Sequence, residues 1–168
     1  MRSLCTDIHC HTAPAPSAPR QADHPYRILV VDDEPAICAL NVSVLTHFGY
    51  QVEAVENGAV AWQVLQLKSY DLMITDNNMP QLSGLDLIKN VRAAKMALPV
   101  IMATGLAPNH EFDRNPSLQP NAILLKPYTV GELLETVTGV LGALDRAGET
   151  EISDRSVAYT LATDGYRA

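Results

Sequence analysis

The residues best suited to chemistry in this 168-residue chain are acidic, and they fall in two places: Asp32-Asp33-Glu34 and Asp76. Each follows a short apolar run, Ile28 to Val31 in one case and Leu72 to Thr75 in the other. Thr104 and Lys126 follow runs of the same kind, Pro99 to Ala103 and Ala122 to Leu125. If these runs are parallel strands of one sheet, their C-terminal ends share an edge, and ligands of open α/β sheets bind at that edge. Three carboxylates, a hydroxyl and an ammonium then converge. Like charges about 4 Å apart repel by roughly 4 kcal/mol per pair at an effective dielectric near 20, so the cluster demands countercharge. A divalent cation and Lys126 can supply it. The available donors are oxygens and no histidine stands in these motifs, which favours Mg²⁺ over zinc or copper; Mg²⁺ also takes a phosphate oxygen readily. A carboxylate beside such an ion can attack phosphorus while Lys126 and Thr104 stabilise the equatorial oxygens. Taken singly, each Asp could be a helix N-terminal acid, Thr104 a turn residue and Lys126 a solvated charge; their joint placement at strand ends selects the chemical reading.

The elements that must position these groups alternate along the chain. Arg27 to Val31 reads as a first strand, and Pro35 at a first helical turn opens a helix with Ile37, Leu40, Val44 and Phe48 on one face, ending at Gly49. Gln51 to Val55 is a second strand, followed by a helix from about Gly58 to Lys68 capped by Asn57. After the third strand, Ser83 caps a helix carrying Leu85, Ile88 and Val91. After the fifth, Thr129-Val130-Gly131-Glu132 forms a capping box ahead of Leu133, Leu134, Val137, Val140, Leu141 and Leu144. Five strands alternating with helices imply a doubly wound parallel sheet with helices on both faces. Between Leu106 and Asn121 three prolines interrupt the run, so the fourth helix is expected to be short or irregular.

Hydrophobic residues make up 47% and charged residues 18%, enough to bury one ordinary core. Residues 1–25, rich in Pro and Ala, read as a flexible extension, 26–145 as the folded domain and 146–168 as a tail in which Val157, Tyr159 and Leu161 alternate as a strand would. Cys5, His9, Cys10 and His11 match no structural zinc spacing, and an odd number of cysteines, with Cys38 inside a helix, favours reduced thiols. A net charge of −7 disfavours nucleic acid as a partner. No apolar run approaches the roughly 18 residues of a membrane span and the first residues lack a signal-peptide pattern, so a cytoplasmic location is expected.

Four pieces in order, Ile28 to Pro35, Asp76-Asn77-Asn78-Met79-Pro80 with Gly84, Ala103-Thr104-Gly105, and Leu125-Lys126-Pro127-Tyr128, resemble the receiver domain of two-component response regulators. The likeness spans residues 26–145 and suggests a single-domain, chemotaxis-type regulator with the flavodoxin-like strand order 2-1-3-4-5. It implies that Asp76 is the phosphoacceptor and that Asp33, Asp76 and the backbone carbonyl of Asn78 ligate Mg²⁺, with Asp32 acting through a metal-bound water. It implies further that Thr104 bonds a phosphoryl oxygen and moves as the switch, that Lys126 pairs with the phosphoryl group or with Asp76 before transfer, through a cis Lys126-Pro127 bond, and that Asn78 and Leu106 tune the phosphoryl lifetime. The implied partners are a histidine kinase or histidine phosphotransfer protein and a downstream protein target. One position departs from the pattern: the second switch site, usually Tyr or Phe, is Ile123, which cannot swing a ring between exposed and buried positions. With the proline-broken fourth helix, this points to an altered or mobile output surface. Two other readings stay open: a receiver-like scaffold that is never phosphorylated, against which the complete acid set counts, and the receiver piece of a hybrid histidine kinase. An aspartyl phosphatase wants its nucleophile and general acid two residues apart on the first strand, whereas Asp32 and Asp33 are adjacent and Glu34 precedes a proline; a flavin binder wants a Ser/Thr/Gly-rich loop after that strand, and none is present.

Overall fold

The computed structural model describes residues 25–107 and 109–163, so the expectations for the N-terminal extension and its Cys and His residues lie outside the described residues. Five strands, β1 (Arg27–Val31), β2 (Gln51–Val55), β3 (Leu72–Asp76), β4 (Val100–Thr104) and β5 (Ala122–Leu125), form one parallel sheet in the order β2-β1-β3-β4-β5. Between and after them run α1 (Pro35–His47), α2 (Gly58–Leu67), α3 (Gly84–Ala93), α4 (Asn109–Arg114) and α5 (Val130–Thr163).

Strand alternation divides the core in two, because successive side chains point to opposite faces. Leu29, Val31, Met73 and Met102 meet Ala61, Leu65, Leu87, Ile88, Val91 and Phe112 of α2, α3 and α4. Ile28, Val30, Leu72, Ile74, Ile101 and Ala103 meet Leu45, Leu133, Val137 and Leu141 of α1 and α5. Strands β3 and β4 are buried throughout, which accounts for their continuous apolar sequence. The caps are those the sequence announces: Asn57 accepts from the Val60 amide, Ser83 from the Asp86 amide, and Thr129 and Glu132 bond each other's amides reciprocally.

Three elements differ from expectation or refine it. The inward face of α1 carries Asn41 and Leu45, with Cys38 partly buried, whereas Leu40 and Phe48 are about half exposed. This helix is apolar on several sides, so periodicity alone does not fix its orientation; the face that turns inward packs Leu45, Val44 and Cys38 against the sheet and pairs Asn41 with Tyr128. The fourth helix is short, six residues followed by a 3₁₀ turn at Pro116–Leu118, as the prolines require, and Phe112 anchors it. Helix α5 continues to Thr163, so the backbone through Val157 and Leu161 is helical rather than strand-like. No proline follows Pro127, and nothing in the chain stops the helix where apolar periodicity fades.

At the β2 edge, Glu53 accepts hydrogen bonds from the Tyr70 hydroxyl at 2.7 Å and from Lys68 at 2.9 Å, while Arg27 lies over the Tyr70 ring. The Tyr70 hydrogen bond, then Lys68, holds the Glu53 carboxyl below its ordinary range. A carboxylate whose folded pKa is depressed stabilises the fold above its unfolded pKa and loses that contribution as pH falls through the folded value. Glu53→Gln should therefore melt below wild type at neutral pH, with the gap closing as pH falls through the depressed folded range of the Glu53 carboxyl, a comparison of two series of melting curves.

Candidate functional site

The strand ends bring the acids together. Asp32 continues β1, its amide donating to the Val55 carbonyl, and its side chain is buried. Asp33 is exposed beside it, and Asp76, the last residue of β3, is buried. One carboxylate oxygen from each of Asp32, Asp33 and Asp76 lies within 4.8 Å of the others. This trio of oxygens fits a small hard cation.

Each carboxylate has a different set of partners. Asp32 Oδ1 accepts from the Glu34 amide at 3.0 Å, and its Oδ2 accepts from Lys126 Nζ at 2.7 Å. Asp76 Oδ1 accepts from the Asn77 amide at 2.7 Å, and its Oδ2 faces Lys126 Nζ at 3.5 Å. Lys126 thus serves both acids, Asp32 more closely than the expected Asp76. Burial works against the charged ammonium, but the Asp32 hydrogen bond and the charges of Asp32 and Asp76 outweigh it and raise the Lys126 pKa.

The remaining candidates surround this pocket. Thr104 is fully buried at the end of β4, and its hydroxyl donates to the Leu106 carbonyl at 3.1 Å. Leu106 itself is 80% exposed. Asn78 is exposed and accepts a long contact from Asn77 at its side-chain oxygen. Ile123 lies half-buried against the core beneath α2, α3 and α4, on the sheet face opposite α1 and α5. The loop after β3 is closed by Asn77, whose side-chain oxygen accepts from the Leu85 amide and whose carbonyl accepts from Gly84. The Lys126-Pro127 peptide bond is cis.

Three contributors escaped the reading of the sequence. The Cys38 thiol donates to the Asp32 carbonyl, and Asn41, buried in α1, exchanges hydrogen bonds with the Tyr128 hydroxyl at 3.0 and 3.3 Å. A polar Asn among the apolar positions of α1 and a phenol two residues after Lys126 were the available signals, since a buried hydroxyl needs a partner.

Comparison with known proteins places this geometry. The response regulator receiver domain matches residues 28–138. A chemotaxis protein CheY homolog of Campylobacter jejuni is 34% identical over 129 residues, covering 74% of this chain and 99% of the relative. Among solved structures, the response regulator TrrA of Thermotoga maritima in complex with Mg²⁺ and beryllofluoride is 33% identical with a TM-score of 0.60, covering 68% of this chain and 98% of that one. The receiver domain of a signal transduction histidine kinase from Syntrophus aciditrophicus is 29% identical with a TM-score of 0.65, covering 72% and 93%. With strand order, acid cluster and sequence match in agreement over the same residues, the chain belongs to the response regulator receiver domains, of the CheY-like kind.

Proposed function

We propose that this receiver takes a phosphoryl group onto Asp76 from a histidine kinase or histidine phosphotransfer protein and signals through contacts with a downstream protein. The observation that carries this reading is the convergence of three carboxylates from β1 and β3 within 4.8 Å, with the Lys126 ammonium against two of them. Asp33, Asp76 and the Asn78 backbone carbonyl would hold Mg²⁺, with Asp32 reaching it through a water. When bound, the ion supplies positive charge that offsets the phosphoryl oxygens and the neighbouring acids.

The residues of the chain do the rest. An Asp76 carboxylate oxygen forms the new O–P bond as the P–N bond to the donor histidine breaks, and the electron pair of that bond returns to the imidazole. Lys126 moves its ammonium from Asp32 toward the incoming phosphoryl oxygens. Thr104 gives its hydroxyl to a phosphoryl oxygen in place of the Leu106 carbonyl, which couples the event to the loop leading into α4. With no ring at Ile123, that loop is the route by which Thr104 reaches the outer surface, and Leu106 and Asn78 at the pocket rim govern how long the phosphoryl group survives. Among the described residues no helix is long and apolar enough to cross a membrane, and we place the protein in the cytoplasm with its kinase.

The test is incubation with acetyl phosphate and Mg²⁺ followed by intact-mass measurement and peptide mapping. A phosphoryl adduct on Asp76 that chelation of the metal prevents is expected; no adduct, with beryllofluoride also failing to bind, would leave a receiver-like scaffold. The likeness to a histidine kinase's own receiver supports a second reading, in which the chain is the receiver piece of a hybrid kinase and its donor is that kinase. Lys126→Met separates the two pocket roles. It should slow adduct formation about a hundredfold by removing charge from the transition state, yet tighten Mg²⁺ severalfold because a competing cation leaves Asp32. Calorimetric titration with Mg²⁺ and a time course of the mass shift check both halves.

A further inference from the structure

Lys126 can act only where its backbone holds it, and two contacts flank that backbone. On one side the Lys126 amide donates to the Thr104 carbonyl at 2.9 Å, tying it to β4. On the other, two residues on, the Tyr128 hydroxyl meets Asn41 of α1. Asn41 is 1% exposed, and a buried amide facing a single phenol is a specific device rather than general packing. The same inner face of α1 presents Cys38, one turn earlier, to the carbonyl of Asp32. One helix face thus grips both halves of the Lys126–Asp32 ion pair, Asp32 directly and Lys126 through Tyr128.

Resting on the phosphoacceptor reading above, we infer that Asn41 and Tyr128 form a positioning pair that seats Lys126 over the acid pocket and so sets the rate of phosphoryl capture, without contributing to metal binding. The hydrogen bond explains why a polar residue stands in the middle of an apolar helix. It also predicts an asymmetry. Removing one partner orphans a buried polar group and lets the segment shift, whereas replacing both with apolar groups of similar shape refills the contact.

The experiment compares wild type, Tyr128→Phe, Asn41→Val and the double variant, all as the full chain. Competitive acetylation with acetic anhydride, read by mass spectrometry with exposed Lys95 as internal standard, reports how firmly Lys126 is held and needs no phosphoryl donor. Each single variant should label Lys126 about threefold faster or more and take phosphate from acetyl phosphate roughly fivefold more slowly, and the double variant should recover in both. Mg²⁺ affinity should stay within about twofold throughout, since neither residue is a ligand, whereas general loosening of the site would weaken it in parallel. Should Tyr128→Phe fail to fold, Asn41→Ser, too short to reach the phenol, reads the same quantities. Labelling of Lys126 at the wild-type rate in a folded single variant, or Mg²⁺ affinity falling together with the phosphorylation rate, overturns the inference. A wild type that forms no adduct overturns the proposed function instead, and the labelling result then still decides whether the pair seats Lys126.

Discussion

Asp76→Asn should lower adduct formation with acetyl phosphate by about a thousandfold or more, to the limit of intact-mass detection. The neighbouring acids are poor substitutes for reasons visible in their contacts. Asp32 has one oxygen committed to the Glu34 amide and the other to Lys126. Asp33 stands exposed at the rim, where water competes for it. Asp76 alone keeps one oxygen fixed by a backbone amide and turns the other toward the ammonium at a distance that leaves room. The asparagine keeps an acceptor for the Asn77 amide, so the fold should survive, and removal of one like charge from the cluster should if anything raise the metal-free melting temperature. Mg²⁺ should bind more weakly. An adduct of wild-type yield on another residue in this variant would sink the assignment.

Gly84→Ala should destabilise the protein by about 3 kcal/mol or more, a drop in melting temperature of roughly 10 °C. A Cβ at Gly84 would lie 2.1 Å from the Asp76 carbonyl oxygen, 2.9 Å from its carbonyl carbon and 3.0 Å from the Asn77 Cα. All three are backbone atoms, so no rotamer change relieves the clash. Either α3 lifts off or the end of β3 moves, and the second would displace Asp76 and the loop through Asn78. Thermal melting measures the first effect, and the acetyl phosphate time course on the folded fraction measures the second. A variant that melts like wild type would show that this approach is far looser than the contact distances require.

How much of this was legible in the residues varies with the kind of signal. Strand positions were, because the parallel strands are continuous apolar runs bounded by turn residues, and β1, β2 and β5 lie where the sequence places them. The acids, Thr104 and Lys126 were also legible, since parallel strands leave their next residues on one edge. Helix orientation was not. In α1 the stripe Ile37, Leu40, Val44 and Phe48 looks like a core face, but only Val44 of it packs against the buried cluster that holds Leu45, and Asn41 on the inner face meets Tyr128, a contact across 87 residues that no local pattern encodes. The length of α5 was missed for a related reason: periodicity reports burial, and a helix that runs past its sheet loses the periodicity without losing its hydrogen bonds.

Lys126 arrives from β5, at the edge of the sheet, and its ammonium crosses the ends of β4 and β3 to reach Asp32 on β1, joining residues 94 positions apart. During synthesis, every acid emerges long before its countercharge does. A nascent chain ending after β4 would carry the full anionic cluster without Lys126, so completion of the outermost strand is what brings the pocket its ammonium countercharge. The phosphoryl capture proposed for Asp76 is thereby tied to a finished fold rather than to the fragment that bears the acids.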